Sequence, residues 1–335
     1  MQHMSSETPA QGVQQLARHL SHDGGWTDPV DDPRSIGSKF GEEPRRTLET
    51  VGASLTIDDP SQIPVANGSR TWSVGFSLAN AIWALRGSRS ASDILPYNPK
   101  GSAFVEGGNF DAALGSRIAS AYSDPIALRS IVNLLRSHPQ SRRAYVPTIL
   151  PLDLVEQPLD FPCAAGSHYL VRDAALHAVT LMRSQSVVGL LGYDLSLFTI
   201  LQQVVAAELG LRLGRHTYFV SSLHCYEGEE DVLTAIAEGE SQSAEVFSGP
   251  LSATPISCSK ILEIEAQARM DCDVSLDTVS ARLDQCPKEW QLVMLILYAR
   301  LQKVISPRKH TPVVEGESDL YGIIEGMTGL PYEWI

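Results

Sequence analysis

The stretch LSLFTILQQVVAAELG, residues 195–210, does most to limit the fold. It reads as a strongly apolar helix, with Gly210 suited to its C-cap. A helix of that kind needs apolar cover on most of its sides. Strand-like runs flank it, around 168–182 and 186–191 before it and HTYFVSSLHCY (216–226) after it. FSLANAIWALRG (76–87) reads as a second buried helix ending at Gly87. Residues 125–139 read as an amphipathic helix with Leu128, Ile131, Leu134 and Leu135 on one side, and 144–150 as a strand. A long helix is expected over 286–304, where Trp290, Met294, Leu297 and Leu301 make a core stripe rather than a cofactor site. The pattern predicts an α+β fold, a sheet with helices packed on it.

Residues 1–40 are rich in Ser, Gly, Asp, Gln and Pro and read as a poorly ordered N-terminal arm. Residues 41–335 read as one folded domain, with a Gly, Ser and Pro-rich loop over 88–110 and an acidic stretch from 227 to about 250. The net charge of −13 disfavours binding to nucleic acid over a broad face. A small anion needs a local group of arginines, which singles out Arg45, Arg46, Arg142, Arg143 and Arg183. The five cysteines are odd in number and lack C-x-x-C spacing, so disulfides and a metal site are poor expectations. A reducing cytoplasm is the simplest compartment. No apolar run reaches the roughly 18 residues a membrane span needs, and no signal peptide layout is present at the start.

The chemistry concentrates after LDFPCAAGSHYL (159–170), where Cys163 follows a proline. Alone, this thiol is also consistent with an inert core cysteine. Downstream come MRSQSVVGLLGYD (182–194), the apolar helix, and HCY (224–226). This ordered set resembles the thymidylate synthase family: a Pro-Cys nucleophile, an Arg-Ser pair, a glycine-rich turn, a pyrimidine-reading residue, a helix and a His-x-Tyr. The spacings from Cys163 to Arg183, Asp194, His224 and Tyr226 fit without a gap. NAIWALRG looks like the family's helix near the active site, and SRR (141–143) like its paired arginines. The resemblance covers roughly residues 45–226. It implies a thymidylate synthase-like mixed sheet packed with helices, a homodimer, and a divergent helical C-terminal segment over 227–335.

The resemblance also implies roles. Cys163 would add as a thiolate to pyrimidine C6, making C5 nucleophilic toward a one-carbon donor, with Arg183 lowering its pKa. Arg183 and Ser184 would bind the nucleotide 5′-phosphate. Arg142 and Arg143 would reach the phosphate in the neighbouring subunit, and Arg46 is a further candidate for that pocket. His224 and Tyr226 alternate along a strand, share a side, and would hold the sugar 3′-hydroxyl.

Two departures from the family pattern bear on substrate and product. Asp194 stands where thymidylate synthases carry the Asn that reads uracil. A carboxylate accepts from the N4 amino group of cytosine, and a proton shared with N3 completes the pair. Asp194 also fits an N-cap, since it precedes the expected helix. Ser186 stands where the family has an Asp that contacts the folate pterin. In both respects the sequence is similar to the cytidylate hydroxymethylases, in which water rather than hydride reaches the exocyclic methylene. The expected activity is 5-hydroxymethylation of CMP, with dCMP as the other candidate. The steps are Cys163 attack on C6, capture of a one-carbon unit from 5,10-methylenetetrahydrofolate, loss of tetrahydrofolate, hydration and release of Cys163. Methylation of a pyrimidine nucleotide, or nucleotide binding without catalysis, are the alternatives.

Asn80 occupies the position of the family's proton-relaying Glu, near the folate, and cannot act as a base. Either Glu106 or Glu49 substitutes for it or Asp194 itself relays protons as a catalytic residue, and Ala164 replaces the usual His after the cysteine. Arginine far exceeds lysine, as in a GC-rich genome, where the making of a nucleoside antibiotic is the more plausible setting.

Overall fold

The computed structural model describes residues 2–28, 45–123, 128–156, 158, 160–245, 247, 251–270, 276–305, 324–325 and 327–335. Strand β1 (Gln2–Ser6) leads into helix α1 (Pro9–Asp23) and a short β2 (Gly25–Thr27). The poorly ordered arm expected for residues 1–40 is therefore structured over 2–28, and 29–40 lie outside the described residues. Thr8 accepts from the Gln11 backbone N–H, and the Gln11 side chain accepts from the Thr8 N–H. That capping box starts the helix. Val13, Leu16, Ala17 and Leu20 then bury one face completely. The polar composition of the arm hides this stripe.

The main sheet runs β1-β3-β9-β8-β7-β6, with β2 paired to β3. Its members are β3 (Thr47–Ile57), β6 (Tyr145–Pro147), β7 (Ala164–Arg172), β8 (Ala175–Ser186) and β9 (Arg212–Tyr226). β1 with β3 and β8 with β9 are parallel; the other pairs are antiparallel, so the sheet is mixed. A small antiparallel sheet joins β4 (Gln62–Asn67), β5 (Arg70–Thr71) and β10 (Ser241–Glu245).

The strand runs expected around 168–182 and 186–191 divide differently. β7 and β8 form a hairpin about Asp173 and Ala174, both at positive φ (49° and 55°). Tight hairpin turns want that conformation, and glycine or asparagine usually marks them; the Asp-Ala pair does not announce it. Residues 187–190 are a turn.

Helices α2 (Val74–Arg86), α3 (Leu114–Tyr122), α4 (Arg129–Ser137), the single turn α5 (Asp153–Glu156) and α6 (Leu191–Leu209) fill the middle of the chain. Gly87 and Gly210 end α2 and α6 in the left-handed region, as their positions predict. α7 (Glu230–Glu238) lies within the acidic stretch. Helices α8 (Ser259–Met270), α9 (Leu276–Leu283) and α10 (Lys288–Ile305) complete the C-terminal part, with Trp290, Met294, Leu297 and Leu301 all buried. No helix among the described residues is long and apolar enough to cross a membrane.

α6 sits between two apolar clusters. One gathers α2, α4, the C-terminal helices and Ile335; the other lies between α1, α6 and the sheet. Each buried Leu, Ile or Phe there contributes about 1.5–3 kcal/mol. The first turn of α6 is thereby fixed against the ends of β8 and β9, where the chemistry-bearing residues gather.

Candidate active site

Cys163 ends the loop before β7 and is only partly exposed. The Arg183 N–H donates to the Cys163 carbonyl at 2.8 Å. Its side chain turns back on the same loop. Nε donates to the Pro162 carbonyl at 2.8 Å, one NH2 group donates to the Phe161 carbonyl at 3.2 Å, and the guanidinium lies 4.8 Å from the Phe161 ring centroid. A guanidinium nitrogen reaches 4.0 Å from the Cys163 sulfur. Arg183 thus positions the nucleophile's loop as well as its charge.

The thiol is pushed up to about 11. Burial is the largest cause; Arg183 pulls it down, while Asp194 and Asp160 push it further up. The expectation that Arg183 would lower the thiol pKa is right in sign for that one contact, but loss of hydration outweighs it. In this state Cys163 is a thiol at neutral pH. Asp160, whose carboxylate accepts from the Ala112 N–H at 3.1 Å, is a neighbour of the nucleophile that the motif comparison passed over.

Asp194 lies in the first turn of α6, whose N-cap is Leu190, so the N-cap role for Asp194 falls away. Its Oδ2 accepts from Gln185 Nε2 at 2.8 Å, and Gln185 Oε1 accepts from the Tyr218 hydroxyl at 2.6 Å. Gln185 is 2% exposed and Tyr218 fully buried. Burial lifts the Asp194 carboxyl to about 6, against the Gln185 hydrogen bond, which lowers it. The helix start is set by Gly192, where an added Cβ would strike the Trp72 indole. Tyr193 meets that indole edge-on at 5.3 Å, and its hydroxyl accepts from the Ser73 N–H at 3.2 Å.

On β9, the His224 and Tyr226 rings lie 5.2 Å apart, as their alternation predicts. His224 is 8% exposed; burial and Arg183 lower its pKa, while the Ser222 backbone and Glu49 oppose them. It is therefore a neutral imidazole at pH 7, able to donate or accept. Ser184 and Ser186 pair in register with Ser222 and His224. Ser186 Oγ accepts from the Gly189 N–H at 3.0 Å, which pins the glycine turn.

Of the two carboxylates considered as substitutes for the missing glutamate, Glu49 stands opposite His224 and accepts from the Ser222 hydroxyl. Glu106 is in an exposed turn against Asn109. Asn80 is half-buried in α2, about 10 Å along the helix from Ser73.

The arginines divide. The Arg45 guanidinium stands 4.9 Å from the centre of the Tyr226 ring, whereas Arg46 stands 5.3 Å from the Trp26 ring. Arg45, which the motif comparison did not assign to the pocket, is thus the one that touches a site residue. Arg142 and Arg143 are exposed ahead of β6, and the Arg142 carbonyl lies 3.1 Å from His168 Nε2. His168 is five residues along β7 from Cys163, roughly 17 Å away, so one subunit does not bring these arginines to its own thiol. The chain end does come near: the Ile335 carbonyl accepts from the Ser73 hydroxyl at 2.8 Å, beside Tyr193.

A family model, thymidylate synthase, matches residues 46–247. The chain belongs to the thymidylate synthase family. The match contains every site residue on β3, β7, β8, α6 and β9, and it continues past Tyr226 through α7 and β10. Thymidylate synthase-like enzymes transfer a one-carbon unit to pyrimidine C5 with methylenetetrahydrofolate as co-substrate, and they are typically dimers.

A putative thymidylate synthase of Methanosarcina barkeri is 27% identical over 132 residues, 39% of this chain and 60% of that protein. A deoxyuridylate hydroxymethyltransferase of Bacillus phage SP01 is 25% identical over 164 residues, 45% of this chain and 43% of that protein. The chain thus spans less than two thirds of either relative. In structure, the thermostable thymidylate synthase A of Bacillus subtilis aligns with a TM-score of 0.60 at 18% identity, over 73% of this chain and 90% of that one. The thymidylate synthase fold is common to both.

Proposed function

We propose that the protein is a cytidylate 5-hydroxymethylase, acting on CMP or dCMP. The observation that carries this reading is Asp194: a half-buried, poorly hydrated carboxylate beside Cys163, on the first turn of α6, where the family reads its pyrimidine. Ionised, it offers only acceptors. It suits the N4 amino group of cytosine and repels the O4 of uracil. Its pKa near 6 lets it share a proton with cytosine N3 at neutral pH.

Methylenetetrahydrofolate would supply the carbon at the oxidation level of formaldehyde. Ser186 and Asn80 would stand on its side of the pocket; both are small and uncharged, and the Ser186 hydroxyl is tied to its own turn. The chain's own residues do the rest. Cys163 Sγ bonds to C6, its proton leaving for solvent or a neighbouring base; C5 gains electron density and takes up the carbon, and the C5 proton then leaves to solvent as tetrahydrofolate departs. After water has added at the exocyclic carbon, the C6–S bond breaks and the thiol is restored. Arg183, Ser184 and Arg45 would hold the phosphate, joined by Arg142 and Arg143 from a second subunit. His224 and Tyr226 would hold the sugar hydroxyl, with Glu49 steadying His224. The arginine-rich composition supports CMP, for a nucleoside antibiotic, as the setting.

Incubation with methylenetetrahydrofolate and CMP, dCMP, UMP or dUMP, followed by mass spectrometry, tests the proposal. The expected result is the gain of one CH2O unit on a cytidylate, lost in Cys163→Ala. A gain on a uridylate alone would favour the second reading, 5-hydroxymethylation of a 4-oxo pyrimidine, which the phage relative's name supports. A methyl gain with dihydrofolate, or no product with any nucleotide, would overturn hydroxymethylation altogether.

A further inference from the structure

The hydrogen-bond chain Tyr218–Gln185–Asp194 spans β9, β8 and α6; Tyr218 and Gln185 are buried and Asp194, at its site end, is half-buried. Its polarity is set from the far end. The Tyr218 phenol keeps its proton, because burial and the nearby Asp194 and Cys163 raise its pKa. That O–H needs an acceptor, and Gln185 Oε1 takes it at 2.6 Å. The amide nitrogen must then face Asp194. Reversing the amide would set two acceptor oxygens against each other where Nε2 now meets Oδ2 at 2.8 Å, and would leave the phenol proton without its partner.

We infer that Gln185 and Tyr218 form a tether that holds Asp194 as a hydrogen-bond acceptor and so makes the site select a 4-amino over a 4-oxo pyrimidine nucleotide. This rests on the reading of Asp194 as the base-recognising group. Gln185 is a positioning and specificity-determining residue; it need not touch the substrate.

The logic follows from proton placement. A carboxylate accepts at both oxygens and matches the exocyclic amine. A protonated carboxyl presents one donor and one acceptor, and that pair can meet either the N3/N4 edge of cytosine or the N3/O4 edge of uracil. Selectivity therefore depends on keeping Asp194 ionised where it is poorly hydrated, which an N–H donor does and an apolar neighbour does not. The titratable groups that face Asp194 from adjoining elements are the Cys163 thiol ahead of β7 and the Tyr218 phenol on β9, both neutral at pH 7; the Arg183 charge lies beyond Cys163, at its sulfur.

The test is calorimetric binding of CMP, dCMP, UMP and dUMP from pH 5 to 9 to the full chain and to Gln185→Leu, Tyr218→Phe and Asp194→Asn. The wild type should prefer a cytidylate and lose that preference on acidification. Gln185→Leu should move the midpoint of that loss upward by about one pH unit and cut the preference at pH 7.5 by about tenfold. Tyr218→Phe, which frees the amide to turn, should shift both in the same direction by less, and decides the matter if the Leu variant does not fold. If both variants keep the wild-type preference and midpoint while Asp194→Asn alters them, the tether is overturned and the Asp194 reading survives. If Asp194→Asn leaves the preference unchanged, the reading fails and the tether with it.

Discussion

Arg183 brings a guanidinium nitrogen to 4.0 Å from the Cys163 sulfur, and the thiol still titrates near pH 11. The charge is near, but the sulfur is short of water, and the second effect is the larger. At pH 8 only about one molecule in a thousand carries the thiolate. Iodoacetamide should therefore modify Cys163 slowly at pH 8, with a rate rising about tenfold per pH unit toward pH 10. Arg183→Gln removes the one favourable charge and should slow modification further at every pH. Peptide mass spectrometry after timed quenching reads both; a plateau below pH 9 would contradict the buried-thiol account.

Asp194 makes folding depend on pH. Its carboxyl sits near 6 in the folded chain against an ordinary 3.8, so the folded state binds the proton more tightly than the unfolded one. Its contribution to stability is fully present below about pH 4 and is lost as pH rises through 6. The loss is on the order of 3 kcal/mol for a two-unit shift. Asp194→Asn has no proton to lose. Relative to the wild type it should gain stability between pH 4 and pH 7, seen in urea unfolding at the two pH values.

The spacing from Cys163 through Arg183 and Asp194 to His224 and Tyr226 was legible because that ordered set resembles the thymidylate synthase pattern. The structure brings these five together at the ends of β8 and β9 and the start of α6. What escaped is instructive. Gln185 and Tyr218 are neutral and look like filler; only their mutual hydrogen bond shows that they orient Asp194. Arg45 and Arg46 are adjacent in sequence, and only the stacking on Tyr226 or on Trp26 separates them. The order of residues 2–28 was masked by polar composition, although Thr8, Gln11 and the Val13, Leu16, Leu20 stripe carried the signal. The hairpin at Asp173 and Ala174 was missed because a positive φ at non-glycine residues leaves no mark in the sequence.

Gly192 ties the site to the core. A side chain there would push against the Trp72 ring, which is fully buried and meets Tyr193 edge-on. The helix start carrying Asp194 would have to move. Gly192→Ala should cost about 1–3 kcal/mol of stability and lower kcat/KM by more than tenfold. Thermal unfolding and steady-state kinetics check the two parts. Full activity in a destabilised variant would show that Asp194 tolerates the shift.

Arg142 and Arg143 stand apart from the rest of the site. They precede β6 at the edge of the sheet, roughly 17 Å along β7 from their own Cys163, and both are exposed. If they serve the phosphate bound to a partner's thiol, inactivating mutations on either side should complement. Cys163→Ala and the double variant Arg142→Ala, Arg143→Ala should each be nearly inactive alone. Mixed, dissociated and reassociated, they should form heterodimers in which one site has both its nucleophile and its arginines. Random pairing makes half of the dimers mixed, with one good site in two, so about a quarter of wild-type activity should return. No recovery, with subunit exchange shown by native mass spectrometry, would mean that the arginines act within their own subunit or not at all.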